Sequence, residues 1–186
     1  MIRCVTILML ALGLGACAST APTVHYYSLG LPQAQTLPAR APEHELRLAP
    51  LSISGQIDSV SLVYELEGHE LTFTERHRWA GTLDDQLEQL TISGLSSRLP
   101  GWALRDNGGK GNRLSIRLQQ FAGRHDGMAV LAGRWRLEGE DGRVLLERPF
   151  SQVRPLPADG YNALVGELAK GWNQLLDEIA AEVIRD

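Results

Sequence analysis

The sequence predicts an α+β domain, a mostly antiparallel β-sheet with two amphipathic helices packed on it. Three observations carry that expectation. Apolar residues alternate at period two in two separate blocks, from Leu46 to Trp79 and from Leu114 to Phe150. A stripe at helical spacing follows each block, Leu83 to Leu99 and then Tyr161 to Val183. Turn residues separate the runs, giving the order strands, helix, strands, helix with no internal repeat.

The elements follow in chain order. His25-Tyr26-Tyr27-Ser28-Leu29 reads as a short aromatic strand, and Leu31 to Pro42, with three prolines, as an extended surface connection. Leu46 and Leu48 alternate, Pro50 interrupts, and Leu51 and Ile53 resume on a shifted phase, which predicts a bulge or an edge. Val60, Leu62, Tyr64 and Leu66 alternate, as do Leu71, Phe73 and Trp79, with a hairpin predicted over Glu67-Gly68. Thr82, with Asp85 three residues on, is a helix start. Leu83, Leu87, Leu90, Gly94 and Leu95 form its stripe, widened by Ile92 and Leu99, and Pro100-Gly101 stops it.

Trp102 to Leu104 is a brief apolar patch before a loop at Asn107-Gly108-Gly109-Lys110-Gly111. A three-stranded meander follows. Leu114, Ile116 and Leu118 mark its first strand, Leu131, Gly133, Trp135 and Leu137 its second, and Val144, Leu146 and Phe150 its third. Asp126-Gly127 and Asp141-Gly142 between them are the residue pair of type I′ hairpins. Pro155 and Pro157 end the pattern, and Asp159 is placed to cap the last helix. Tyr161, Leu164, Val165, Leu168, Trp172, Leu175, Leu176, Ile179 and Val183 are its apolar stripe; Lys170, Gln174, Asp177 and Glu182 take the other side. That stripe is expected to be core, as are the four tryptophans.

The N-terminus sets the compartment. Arg3 supplies a positive charge, Val5 to Leu14 is an apolar run of about ten residues, and small residues follow. Such a run is too short for a bilayer-spanning helix, which needs about 20 residues. Leu14-Gly15-Ala16-Cys17 resembles the bacterial lipobox, which implies lipid on the Cys17 thiol and cleavage before it. The expected organisation is a signal peptide over 1–16, a lipidated tether over 17–24 and a single domain over 25–186. Ala18 and Ser19, with no Asp after the cysteine, imply sorting to the outer membrane, facing the periplasm. Stable anchoring takes more than one acyl chain, which a triacylated Cys17 supplies.

Composition narrows the chemistry. A net charge of −4 leaves no basic footprint for nucleic acid. Of the two cysteines, Cys4 leaves with the signal and Cys17 takes the lipid, so no thiol remains for a disulfide, a metal or a nucleophile. His44-Glu45 and His69-Glu70 lack the second His four residues on that a zinc-protease helix requires. Gly108, Gly109 and Gly111 fit no phosphate loop, and His77, between charged neighbours, reads as a solvated strand face. Arg124-His125-Asp126-Gly127 is the one local cluster of titratable types, a turn in which Arg124, His125 and Asp126 are candidate partner contacts. No catalytic residue, metal or cofactor is expected beyond the covalent lipid on Cys17.

Several phrases, in order along the chain, resemble one family. They are Tyr26-Tyr27-x-Leu29, Trp79-Ala80-x-x-Leu83-Asp84-x-Gln86-Leu87, Leu99-Pro100-Gly101-Trp102 and Phe121-x-Gly123-Arg124-x-Asp126-Gly127. Gly133-x-Trp135, Arg148-Pro149-Phe150, Asp159-Gly160-Tyr161 and Trp172 continue the set. Together with the lipobox they are similar to the ABC-type transport auxiliary lipoproteins, departing from that pattern at the Asn107–Gly111 loop and at His125. The resemblance implies an outer-membrane lipoprotein working with a PqiA-like membrane subunit and a PqiB-like mammalian-cell-entry (MCE) protein that builds a periplasmic lipid tunnel. It further implies a homo-oligomeric ring that docks the tunnel tip. Two other readings stay open: a membrane-tethered lipid carrier with a deep apolar cavity, and a periplasmic hydrolase.

Overall fold

The computed structural model describes residues 22–30, 42–106 and 109–185. The predicted lipobox, Cys17, most of the tether and nearly all of the proline-rich connection lie outside them. Among the described residues, nine strands form one sheet and two long helices cover one of its faces. The strands are β1 (His25–Tyr27), β2 (His44–Leu48), β3 (Ser52–Ile53), β4 (Ser61–Glu65), β5 (Leu71–Trp79), β6 (Trp102–Asp106), β7 (Asn112–Arg124), β8 (Met128–Glu138) and β9 (Val144–Pro155). The helices are α1 (Leu83–Arg98) and α2 (Tyr161–Arg185). The α+β class is as the sequence predicts.

The long strand β7 organises the sheet. One edge pairs antiparallel with β8, which pairs antiparallel with β9. The other edge is lined successively by three short parallel strands: β2 at residues 112–114, β3 at 117–118 and β4 at 123–124. From there the sheet forks. β2 carries β6 in parallel, while β4 carries β5 antiparallel and β5 carries β1 in parallel. Parallel pairing over long sequence separations leaves no hairpin signature, and only the meander and the β4–β5 hairpin are local in sequence. The patch at Trp102 to Leu104 is therefore a full strand, held by a partner 58 residues earlier in the register His44↔Trp102.

Two other expectations are corrected. The predicted type I′ turns are three-residue loops: Arg124 pairs with Met128, and Gly127 N–H donates to Arg124 C=O with Gly127 at φ 77°. Asp141-Gly142 repeats this, Gly142 N–H donating to Gly139 C=O with φ 78°. Only the glycine takes the left-handed conformation, so each is a type I turn closed by a glycine bulge. The alternation through Val60 and Phe73 also fails, both side chains being exposed while adjacent Leu62 and Val63 are both buried. A register shift between Ser61 and Val63 breaks the phase.

The helices behave as read. Thr82 Oγ1 accepts from Asp85 N–H at 3.4 Å, capping α1 beside two acids that favour the positive end of the helix dipole. α2 opens on Gly160, whose carbonyl accepts from Leu164 N–H, one residue past the predicted Asp159. Its stripe is buried from Leu164 to Val183, with Tyr161 half-buried. Trp172 sits at the centre, fully covered, edge-on to Phe121 and Phe150, and its indole N–H donates to the Thr91 hydroxyl of α1 at 3.1 Å. Trp79 and Trp135 are also buried, whereas Trp102 is half-buried against His44. α2 also carries a buried acid, Glu167, which accepts from Arg154 of β9 at 3.0 Å and Lys170 at 2.6 Å. These two hydrogen bonds, Lys170's first, hold its carboxyl below the ordinary range.

Candidate functional site

The end of the sheet where β4 and β7 finish gathers most of the polar motif residues. The parallel register Glu65↔Arg124 brings the two strand ends abreast, and His125 N–H extends the ladder by donating to Glu65 C=O at 2.9 Å. The turns that follow, Glu67–His69 and His125–Gly127, therefore stand side by side, with His125 Nδ1 3.9 Å from Glu67 Oε1. Leu156 N–H donates to Gly127 C=O, which ties the exit of β9 to the same turn.

The predicted trio is thus held together in one turn, in two roles. Arg124 grips Asp126 with both ends of its fork, Nε to Oδ1 at 2.8 Å and Nη2 to Oδ2 at 2.7 Å. The hydrogen bond raises Arg124's pKa and lowers Asp126's, so the pair stays ionised and fixes the turn. His125 projects from that rigid turn with its ring 41% exposed. Gly123 is required beneath it, because a Cβ there would run into the Tyr64 ring and Leu164.

Beside the turns lies an aromatic stack that sequence reasoning missed. His77 lies against the Tyr161 ring at 3.8 Å, His25 stacks on His77 at 5.2 Å, and Tyr27 Oη shares a 2.8 Å hydrogen bond with His77 Nδ1. His77 is thus packed rather than a solvated face. Burial, then the neighbouring His25 and Arg76 charges, lower its pKa and favour the neutral ring. Burial and Tyr161 raise the Tyr27 hydroxyl, and burial followed by Tyr161, Asp126 and Asp159 raises that of Tyr64. The signal lay in the family phrases: Tyr26-Tyr27, Arg124-x-Asp126-Gly127 and Asp159-Gly160-Tyr161 meet here from three separate parts of the chain. Tyr26 itself points outward, 65% exposed on the terminal strand β1. The turns thus present an exposed aromatic ring, an imidazole and an acid on a fixed backbone. Cys17 lies outside the described residues, and among the described residues no helix is long and apolar enough to cross a membrane.

The family described as the ABC-type transport auxiliary lipoprotein component matches residues 27–180. The intermembrane transport lipoprotein PqiC of Escherichia coli (strain K12) is 29% identical over 178 residues, 94% of each chain. The protein of the same name in Shigella flexneri is equally similar. A crystal structure of an uncharacterized protein superposes with a TM-score of 0.76 at 29% identity, covering 87% of this chain and 99% of that one. A protein from Xanthomonas campestris shares the fold at 21% identity, with a TM-score of 0.68 over 84% of this chain and 92% of its own.

Proposed function

The chain belongs to the ABC-type transport auxiliary lipoprotein family, and from that premise we propose that it is the outer-membrane lipoprotein of an MCE-type intermembrane lipid transport system. Its role is non-catalytic: a domain tethered through lipid on Cys17 docks the periplasmic tunnel and supports membrane integrity. It works with a PqiB-like MCE protein and a PqiA-like membrane subunit, as a homo-oligomeric ring. The observation that carries the reading is the convergence of three separated family phrases, Tyr26-Tyr27, Arg124-x-Asp126-Gly127 and Asp159-Gly160-Tyr161, at one rigid end of the sheet. Arg124, His125 and Asp126 form the contact there, His125 and Tyr26 being the groups turned outward.

That end also follows the tether most directly, since β1 begins eight residues after Cys17. Confinement to a surface raises effective concentration, so a weak docking contact persists. The lipid-carrier reading finds less support. The crevice between α1 and the sheet, lined by Leu48, Leu51, Thr91, Leu114 and Ile116, holds about 10 Å³, room for about one water and far too little for an acyl chain.

Native co-purification from membranes tests the proposal. The full chain should bring down an MCE protein, and H125A combined with Y26A should lose it while the chain still floats with the outer membrane. Cys17→Ser should release the chain from membrane fractions. A wild-type chain that never co-purifies with an MCE protein overturns the docking reading, and a Cys17→Ser chain that stays membrane-bound overturns the anchor.

A further inference from the structure

The sheet face turned away from the helices carries a close group of arginines that the docking reading leaves unused. The β7–β8 register sets Arg117 directly opposite Arg134, with Ser115 opposite Arg136 and Arg113 opposite Glu138 in the neighbouring rows. All of these but Glu138 line a cleft of about 560 Å³, whose other walls include Ala49, Pro50 and Glu147. Glu147 accepts from Arg134 Nη1 at 2.8 Å and from Arg136 Nε at 3.1 Å. Glu138 stands 3.5 Å from Arg113 and 3.6 Å from Arg136. Among the described residues the Arg117 side chain makes no hydrogen bond or ion pair.

Four guanidinium groups therefore face two carboxylates, on a chain whose net charge is −4. Like charges directly opposite on an antiparallel pair repel, so Arg117 against Arg134 costs stability with nothing between them. A guanidinium fork matches the oxygens of a phosphate two at a time, and a phosphate ester can neutralise more charge than one carboxylate. We propose that this cleft binds a phosphate ester anion, carried by a lipid headgroup or by a soluble phosphate, between Arg117 and Arg134. Arg136 and the Ser115 hydroxyl flank the bound group, and the apolar atoms of Ala49 and Pro50 meet the carbon skeleton beside it. Arg117 lies seven residues along β7 from Arg124, roughly 20 Å at the rise of a strand. Phosphate binding and partner docking are thus separable.

The test uses the full lipidated chain in neutral detergent. It is titrated with inorganic phosphate, with glycerol phosphate and with micelles doped with phosphatidylglycerol, and followed by calorimetry and by melting temperature. Phosphate groups should bind saturably and raise the melting temperature. R117Q and R134Q should each weaken binding by about tenfold, and R143Q, at the β8–β9 turn, should not change it. R117Q should melt no lower than wild type without ligand, which establishes that it is folded. Tighter binding to doped micelles than to inorganic phosphate assigns the site to a lipid headgroup; equal binding assigns it to soluble phosphate. Either supports the cleft. Equal effects from chloride at matched ionic strength, wild-type affinity in both R117Q and R134Q, or tighter binding of a polyglutamate peptide overturns it. Co-purification of R117Q with the MCE protein, unchanged, shows that docking stands independently.

Discussion

The two faces of the β7–β8–β9 meander are built from alternate residues of the same strands, yet they obey different physics. Toward the helices, Leu114, Ile116, Leu118, Phe121, Leu131, Trp135 and Leu137 are all buried. Stability there scales with apolar area removed from water and with the fit of neighbouring rings. On the other face Arg113, Ser115, Arg117, Arg134 and Arg136 meet solvent, and charge placement replaces packing. The lesson is that one strand specifies a core and a recognition surface at once, because a pleat separates neighbours by a full face. Substitutions on the two faces should then differ in size, and even in sign.

The largest expected effect tests the packed face. Trp172→Ala removes the ring that joins Phe121, Phe150 and Thr91, and should lower unfolding free energy by about 3–5 kcal/mol, measured by denaturant titration. Trp172→Phe keeps most of the volume but strips Thr91 of its donor, and should cost about 1–2 kcal/mol. If W172A melts near wild type, the helix-facing side is not where stability resides and the contrast between faces collapses.

Much of this was legible in the sequence because its causes are local. The stripe from Leu164 to Val183, the Thr82 cap and the meander each declare themselves within a window of a few residues. What stayed hidden depends on distant partners. β6 is a strand only because β2 lies beside it, and Val60 is exposed only because a register shift precedes Val63. The trio at Arg124 to Asp126 was visible as a titratable turn. The stack of His25, His77 and Tyr161 was not, since three elements far apart in the chain supply it. Arg117 opposite Arg134 was equally hidden, because cross-strand register is not written in either strand alone.

Glu167 sharpens the comparison, being a charge on the packed side. With its side chain 8% exposed it needs both Arg154 and Lys170, and Glu167→Gln should cost about 1–3 kcal/mol at neutral pH, as loss of hydrogen bonds to a charged group does. Because its folded pKa lies below the ordinary glutamate value of 4.5, the carboxylate contributes its full stability above that value. The contribution is lost as pH falls through the folded pKa. The gap between wild type and E167Q should therefore be widest near neutrality and close in acid. A gap that grows on acidification would mean the acid is held in its protonated form.

A smaller effect belongs to the turn that joins the faces. Gly127 sits at φ 77° with open space around its Cα, so Gly127→Ala meets no neighbour and registers backbone strain alone, about 1 kcal/mol. Thermal unfolding measures it. A cost several times larger would mean that the turn is also packed, and that its role in contact is less separable from the fold than the geometry implies.

The smallest effect carries the opposite sign. Arg117 opposes Arg134 across the β7–β8 pair without an acid of its own, so Arg117→Gln removes a repulsion and keeps the aliphatic stem against the sheet. In phosphate-free, low-salt buffer the variant should be more stable than wild type by a few tenths of a kcal/mol. Raising the salt to about 1 M shrinks the screening length to about 3 Å and should erase the gain. A side chain that stabilises the protein when removed is retained for something other than the fold. If instead R117Q is less stable at every ionic strength, Arg117 belongs with the packed residues, and the two faces are not divided as the register suggests.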